Sequence, residues 1–127
     1  MIAAGGTIAA QAPGTFTDTQ ATRGAALYQG RCAECHGEEA QGDGNGITPP
    51  LAGLEFRSNW GGLPLSNLLD RVRQESQQSS GPSFTRPQQA EILAFLLSRN
   101  GVAAGETELP ADPAALSAIP LSSLVSR

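Results

Sequence analysis

Apolar residues along the chain recur at helical rather than strand spacing. Between residues 18 and 29, Ala21, Ala25, Leu27 and Tyr28 gather on one side, the pattern of a helix that buries a single face. Asp18 or Thr19 stands where a capping side chain is needed, which predicts a helix from there to about Gln29. A second helix is expected after Ser66 as its cap, with Leu68, Leu69 and Val72 turned inward, fading near Glu75. A third begins at the capping box Thr85-x-x-Gln88, runs through Ile92, Leu93, Phe95, Leu96 and Leu97, and is stopped by Asn100-Gly101. No period-two alternation marks a strand and no segment repeats, so the pattern predicts an all-α domain of three main helices.

The connections carry their own signals. Residues 37–53 are rich in Gly, Asp, Asn and Pro and read as an extended loop; so long a loop in a small domain is expected to wrap something. Leu54, Phe56 and Trp60 form a short apolar stretch that leads through Gly61 and Gly62 to Pro64, and residues 76–84 read as a polar loop. Beyond Val102, the prolines Pro110, Pro113 and Pro120 predict a tail over the surface with at most a helical turn near Ala114 to Leu116. The alternative for this tail is a docking arm. Residues 1–12 are uncharged and end in Ala10-Gln11-Ala12, the small-x-small pattern of a signal-peptidase cut. They read as a signal-peptide remnant or a flexible leader, predict export to the periplasm or beyond, and are too short to span a membrane. The expected organisation is a leader at 1–12, a domain at 13–101 and a tail at 102–127.

Composition sharpens this picture. A length of 127 residues suits one domain, but with 39% apolar and only 5% aromatic residues its own core is thin and would gain from a large buried apolar cofactor. The formal charge is −4, and the basic residues are all arginine without a stripe that could follow a phosphate backbone, which argues against nucleic acid.

The chemistry concentrates in Cys32-Ala33-Glu34-Cys35-His36. Two cysteines two residues apart with histidine directly after fit c-type haem attachment: each thiol adds across one vinyl group and the imidazole binds the iron. A disulfide in so small a loop would stabilise little. A thioredoxin-like pair lacks the alternating strands and helices of that fold, and zinc lacks ligands, since His36 is the only histidine and no other cysteine exists.

These residues, with Gly24-x-x-Leu27-Tyr28, His36-Gly37, Gly42-Asp43-Gly44, Pro49-Pro50-Leu51-Ala52-Gly53, Trp60 and Ile92-Leu93-Ala94-Phe95-Leu96-Leu97, resemble class I c-type cytochromes over residues 19–101. The likeness is strongest to the single-haem periplasmic kind that serves dehydrogenases and oxidases. The resemblance implies a cytochrome c fold around one covalent haem c, with Cys32 and Cys35 as anchors and His36 as the proximal iron ligand. It implies electron transfer with redox partner proteins, not enzymatic catalysis. It also implies that the Pro49 carbonyl accepts the other ring N–H of His36 and that Leu51 packs on the haem. Arg57 and Trp60 then stand near a propionate, with an ordinary core role as the alternative for Trp60, and Gly24 and Tyr28 meet the last helix near Phe95.

One landmark is missing. Such cytochromes place a methionine on the far side of the iron, and counting back from Ile92 its Met-Pro pair falls on Ser76-Gln77 and its Pro-Gly pair on Gly81-Pro82; the only methionine is Met1. There is no second histidine and no lysine. The far side is therefore open or water-bound, weakly ligated by Ser76 or Gln77, or completed by a partner chain, and the potential is expected to be low without methionine sulfur. Three functions follow: an electron carrier or cytochrome subunit, a five-coordinate haem protein that binds or reduces peroxide, NO or CO, or a structural subunit of a multi-haem assembly. Peroxide cleavage would want a distal acid–base group, and the nearest charges, Arg73 and Glu75, read as solvated surface residues.

Overall fold

The computed structural model describes residues 16–42, 50–78 and 82–124. In chain order its helices are α1 (Asp18–Arg31), α2 (Ala33–His36), α3 (Leu54–Trp60), α4 (Leu65–Gln78), α5 (Arg86–Arg99) and α6 (Pro113–Leu116), followed by a 3-10 turn at Leu121–Ser123. Among the described residues there is no strand, only an isolated bridge between Pro64 and Pro120. The fold is all-α, and α1, α4 and α5, each of 14 residues, are its three main helices. The leader at 1–12 lies outside the described residues.

Local chemistry explains most boundaries. The cap of α1 is Thr17, one residue before the expected Asp18 or Thr19; its hydroxyl accepts the Gln20 N–H at 3.0 Å. Asp18 falls instead in the first turn, where its charge meets the positive end of the helix dipole. At its other end α1 runs on to Arg31, and the Cys32 N–H still donates to the Tyr28 carbonyl at 2.7 Å. The capping box of α5 is formed as read, with Thr85 and Gln88 each accepting the other's backbone N–H.

Two readings change. The stretch from Leu54 to Trp60 is itself a helix, with the Phe56 and Trp60 rings stacked at 6.1 Å one turn apart. Helix α4 starts at Leu65 and is not capped at Ser66: the Leu65 N–H donates to the Ile119 carbonyl at 2.8 Å, so the tail satisfies a free helix-end donor. It also passes Glu75 and continues to Gln78. Side-chain pairs one turn apart, Arg73 with Asp70 and Arg71 with Glu75, support a sequence whose polarity alone reads as loop.

Helix α5 runs through the middle, buried continuously from Ile92 to Leu97. Against it α1 lies so close that a Cβ on Gly24 would stand 1.7 Å from the Glu91 carbonyl oxygen. One turn later Tyr28 meets Phe95 with ring centroids 4.9 Å apart. On the rim Arg23 pairs with Glu91 at 2.8 Å and Glu108 at 2.6 Å, exposed contacts of little energetic weight.

The tail does follow the surface, but its leucines do not stay there. Leu109, Leu116 and Leu121 are at most 3% exposed and share one core with Leu65, Leu68, Leu93 and Leu97. The Gln20 carboxamide clasps Leu109 from both sides, donating to its carbonyl at 3.0 Å and accepting its N–H at 2.7 Å. Further on, the Leu121 N–H donates to the Leu63 carbonyl at 3.2 Å and the Ser122 N–H to the Gly61 carbonyl at 2.9 Å.

Two substitutions test this architecture. Gly24→Ala forces the α1–α5 crossing apart and is expected to cost about 3 kcal/mol or more, the upper end of overpacking effects, whereas Gly30→Ala, with nothing within 4 Å of its Cβ, stabilises by about 0.5–1 kcal/mol through helix propensity. Thermal unfolding followed by circular dichroism reads both. Leu116→Ala, in the same assay, is expected to cost about 2–5 kcal/mol; a loss under 0.5 kcal/mol would show the tail to be a dispensable wrap.

Candidate haem-binding site

The end of α1 delivers the cysteine motif as one further helical turn. The His36 N–H donates to the Cys32 carbonyl at 2.9 Å and the Gly37 N–H to the Ala33 carbonyl at 2.8 Å. Positions three and four apart share a helix face, so Cys32, Cys35 and His36 stand together. Gly37, at φ +90°, turns the chain out of α2, where a side chain would be strained. Its carbonyl accepts the Tyr28 hydroxyl at 2.7 Å. Burial above all raises the Tyr28 pKa well beyond its ordinary value, so the hydroxyl keeps the proton it donates.

Neither cysteine is paired in a disulfide; Cys32 is half-buried and Cys35 exposed. Burial pushes the Cys32 thiol up, with neighbouring Arg31 opposing and Glu75 adding to the effect. The two thiols and the His36 imidazole line one cavity of about 410 Å3, within the range of small-molecule and cofactor sites, about 300–1,000 Å3. Its walls are apolar: Tyr28 from α1, Phe56 and Trp60 from α3, Leu68 and Val72 from α4, Ile92 and Leu96 from α5, with Leu51 and Phe84 from loops. Arg31, Arg71, Glu75 and Ser76 complete the lining.

This donor set fits a haem. Two thiols and an imidazole on one turn face a space lined by rings and branched aliphatic side chains, as a flat apolar macrocycle with reactive edges requires. Among the described residues no group of three or more His, Cys, Asp or Glu gathers to hold a bare metal ion.

Of the residues singled out in the sequence, Cys32, Cys35, His36, Leu51 and Trp60 line the cavity. Arg57 does not: it lies on α3 outside the lining, and the arginines that take part are Arg31 and Arg71. Pro49 lies outside the described residues. The extension of α4 separates the two distal candidates, since Ser76 is buried in the cavity wall while Gln77 is exposed and outside it. The Ser76 hydroxyl donates to the Arg73 carbonyl at 3.0 Å.

Sequence reasoning missed Arg71, Phe84 and Asn100. Arg71 follows Leu68 by three residues and precedes Glu75 by four, so the helical period carried its signal. Asn100 was read only as a stop. Buried, it donates to the Leu51 carbonyl at 2.9 Å and the Leu96 carbonyl at 2.8 Å, and accepts the Gly53 N–H at 3.1 Å. It thereby pins the loop that brings Leu51 to the cavity. No periodicity marks Phe84 or Asn100, because both roles depend on a distant backbone.

A search of the curated proteins finds no match to the chain, and a search of the solved structures finds none. The family model of cytochrome c matches residues 21–100, a stretch that contains every residue lining the cavity. With more than half its length matched, and with the thiol and imidazole turn facing an apolar cavity, the chain belongs to the cytochrome c family.

Proposed function

We propose that the protein is a single-haem electron carrier, or the cytochrome subunit of a redox enzyme, working in the periplasm or an equivalent exported setting. Its partners on this reading are a dehydrogenase or an oxidase, and it performs no bond chemistry on a substrate. The observation that carries the reading is the meeting of Cys32, Cys35 and His36 in one apolar cavity. A haem held there supplies one-electron exchange at its iron. Cys32 and Cys35 anchor it as thioethers, each sulfur bonding one vinyl carbon while its proton goes to the other carbon. His36 binds the iron, and Leu51, Phe56 and Leu68 exclude water. Trp60 and Arg71 stand in the lining, and the indole N–H and the guanidinium would suit a propionate there. No helix among the described residues is long and apolar enough to cross a membrane.

A second reading is favoured by the wall that α4 and Phe84 build. Leu68, Arg71, Val72, Glu75, Ser76 and Phe84 offer no sulfur or imidazole, and the sequence holds neither a second histidine nor a methionine beyond Met1. An iron without such a ligand binds small molecules such as CO, NO or peroxide and has a lower potential than one with His/Met ligation. A partner chain that supplies the ligand would close it.

Absorption spectra decide between these readings. The purified protein is expected to give a c-type pyridine haemochrome, and Cys35→Ser, with one vinyl left unsaturated, to shift its band to longer wavelength. No haemochrome in the wild-type protein would overturn the proposal. Added CO then separates the two: a reduced spectrum that ignores the gas supports a closed electron carrier, and prompt binding supports the open iron.

A further inference from the structure

Most of the cavity lining stands on helices packed into the core, but Leu51 and Phe84 come from loops. Leu51 is pinned by Asn100. The segment bearing Phe84 is held from two directions. From α5, the Gln89 carboxamide donates to the Phe84 carbonyl at 3.1 Å. From α1, the Arg31 guanidinium donates to the Pro82 carbonyl at 2.8 Å and lies 4.6 Å from the centre of the Phe84 ring. Its other arm reaches the Ser76 carbonyl at 3.5 Å, a long contact at the end of α4. One side chain, directly before Cys32, thus ties the cysteine turn, the end of α4 and the Phe84 segment together. A planar guanidinium fork suits this task, since it can hold carbonyls with its edge and an aromatic ring with its face.

We propose that Arg31 is a positioning residue that fixes the Phe84 wall of the cavity and so sets how freely a small neutral ligand such as CO reaches the iron. The proposal rests on the haem reading above. Where a strong protein ligand binds the iron, the metal bond itself tethers the segment that bears it; this sequence has no second histidine, no lysine and no methionine beyond Met1 for that tether. The wall then depends on the Arg31 and Gln89 contacts. Arg31, Arg71 and Glu75 stand in the lining beside Leu68, Val72 and Phe84, so CO, which carries no charge, reports on access without responding to them.

The test compares CO association with the reduced wild-type protein, Arg31→Gln, Arg31→Lys and Phe84→Leu, each checked by haemochrome and thermal midpoint. Arg31→Gln is expected to bind CO about tenfold faster, the loosening expected when a charge-assisted hydrogen bond and a cation–π contact are lost. Arg31→Lys, which keeps a cation and one donor, is expected to recover part of the difference; destabilisation alone would move the midpoint without this graded rescue. If Arg31→Gln fails to load haem, Phe84→Leu decides, because it removes the ring and leaves the arginine: faster binding supports the proposal and an unchanged rate overturns it. A haem-loaded Arg31→Gln that matches wild type, including no CO binding in either, overturns the Arg31 role alone. A wild-type protein without a haemochrome overturns this proposal and the haem reading together.

Discussion

The approach of α1 to α5 at Gly24 is the constraint on which the rest of the structure depends. A backbone contact that excludes even one methyl group fixes both the distance and the angle of the two helices, because neither can withdraw without losing the Tyr28–Phe95 contact one turn away. The consequences appear at the helix ends. At a rise of about 1.5 Å per residue, Cys32 lies about 12 Å along α1 from Gly24, which sets where the thiols and imidazole open into the cavity. The opposite end of α5 carries Asn100, and with it the Leu51 loop. A crossing far from the chemistry thus positions two of its walls.

The cavity also accounts for the unusual role of the tail. The sequence has six aromatic residues, four phenylalanines, one tryptophan and one tyrosine, and Tyr28, Phe56, Trp60 and Phe84 all line the cavity. Few large side chains remain to fill the space between α1, α4 and α5. Leucines fill it, and Leu109, Leu116 and Leu121 come from beyond the last main helix. Each fully buried leucine contributes about 1.5–3 kcal/mol, so the residues after Gly101 stabilise the fold that surrounds the cavity.

This coupling explains which features were legible in the sequence. Features fixed within one turn were readable: the Thr85–Gln88 capping box, the three main helices, the haem-attachment spacing of Cys32, Cys35 and His36. The crossing of Gly24 and Tyr28 with the last helix was readable from family resemblance. Features set by distant partners were not. Leu65 begins α4 because the Ile119 carbonyl takes its N–H, and no local pattern around Ser66 reveals that. Residues 76–78 look like loop by composition, yet charge pairs earlier in α4 extend the helix and separate Ser76 from Gln77. Arg57 and Arg71 are equally basic on paper; only the rotation of α3 and α4 about their axes decides which one reaches the cavity.

The polar part of the cavity is held in the same manner as its loops. Arg71 is engaged by Glu75 at 3.1 Å, the Ser76 hydroxyl by the Arg73 carbonyl, and Arg31 by the Pro82 carbonyl. The exposed Arg71–Glu75 pair adds little to stability, so its value lies in orientation. A side chain already committed to a partner does not need to swing when the charge on a nearby centre changes by one electron. Arg31 and Asn100 extend this logic to the backbone, since each stands at the end of one of the two crossing helices and holds one of the two loop-borne walls. A haem held in a cavity whose charged groups and loops are both tied to that crossing would change its oxidation state with little rearrangement around it, the property that electron transfer requires of its surroundings.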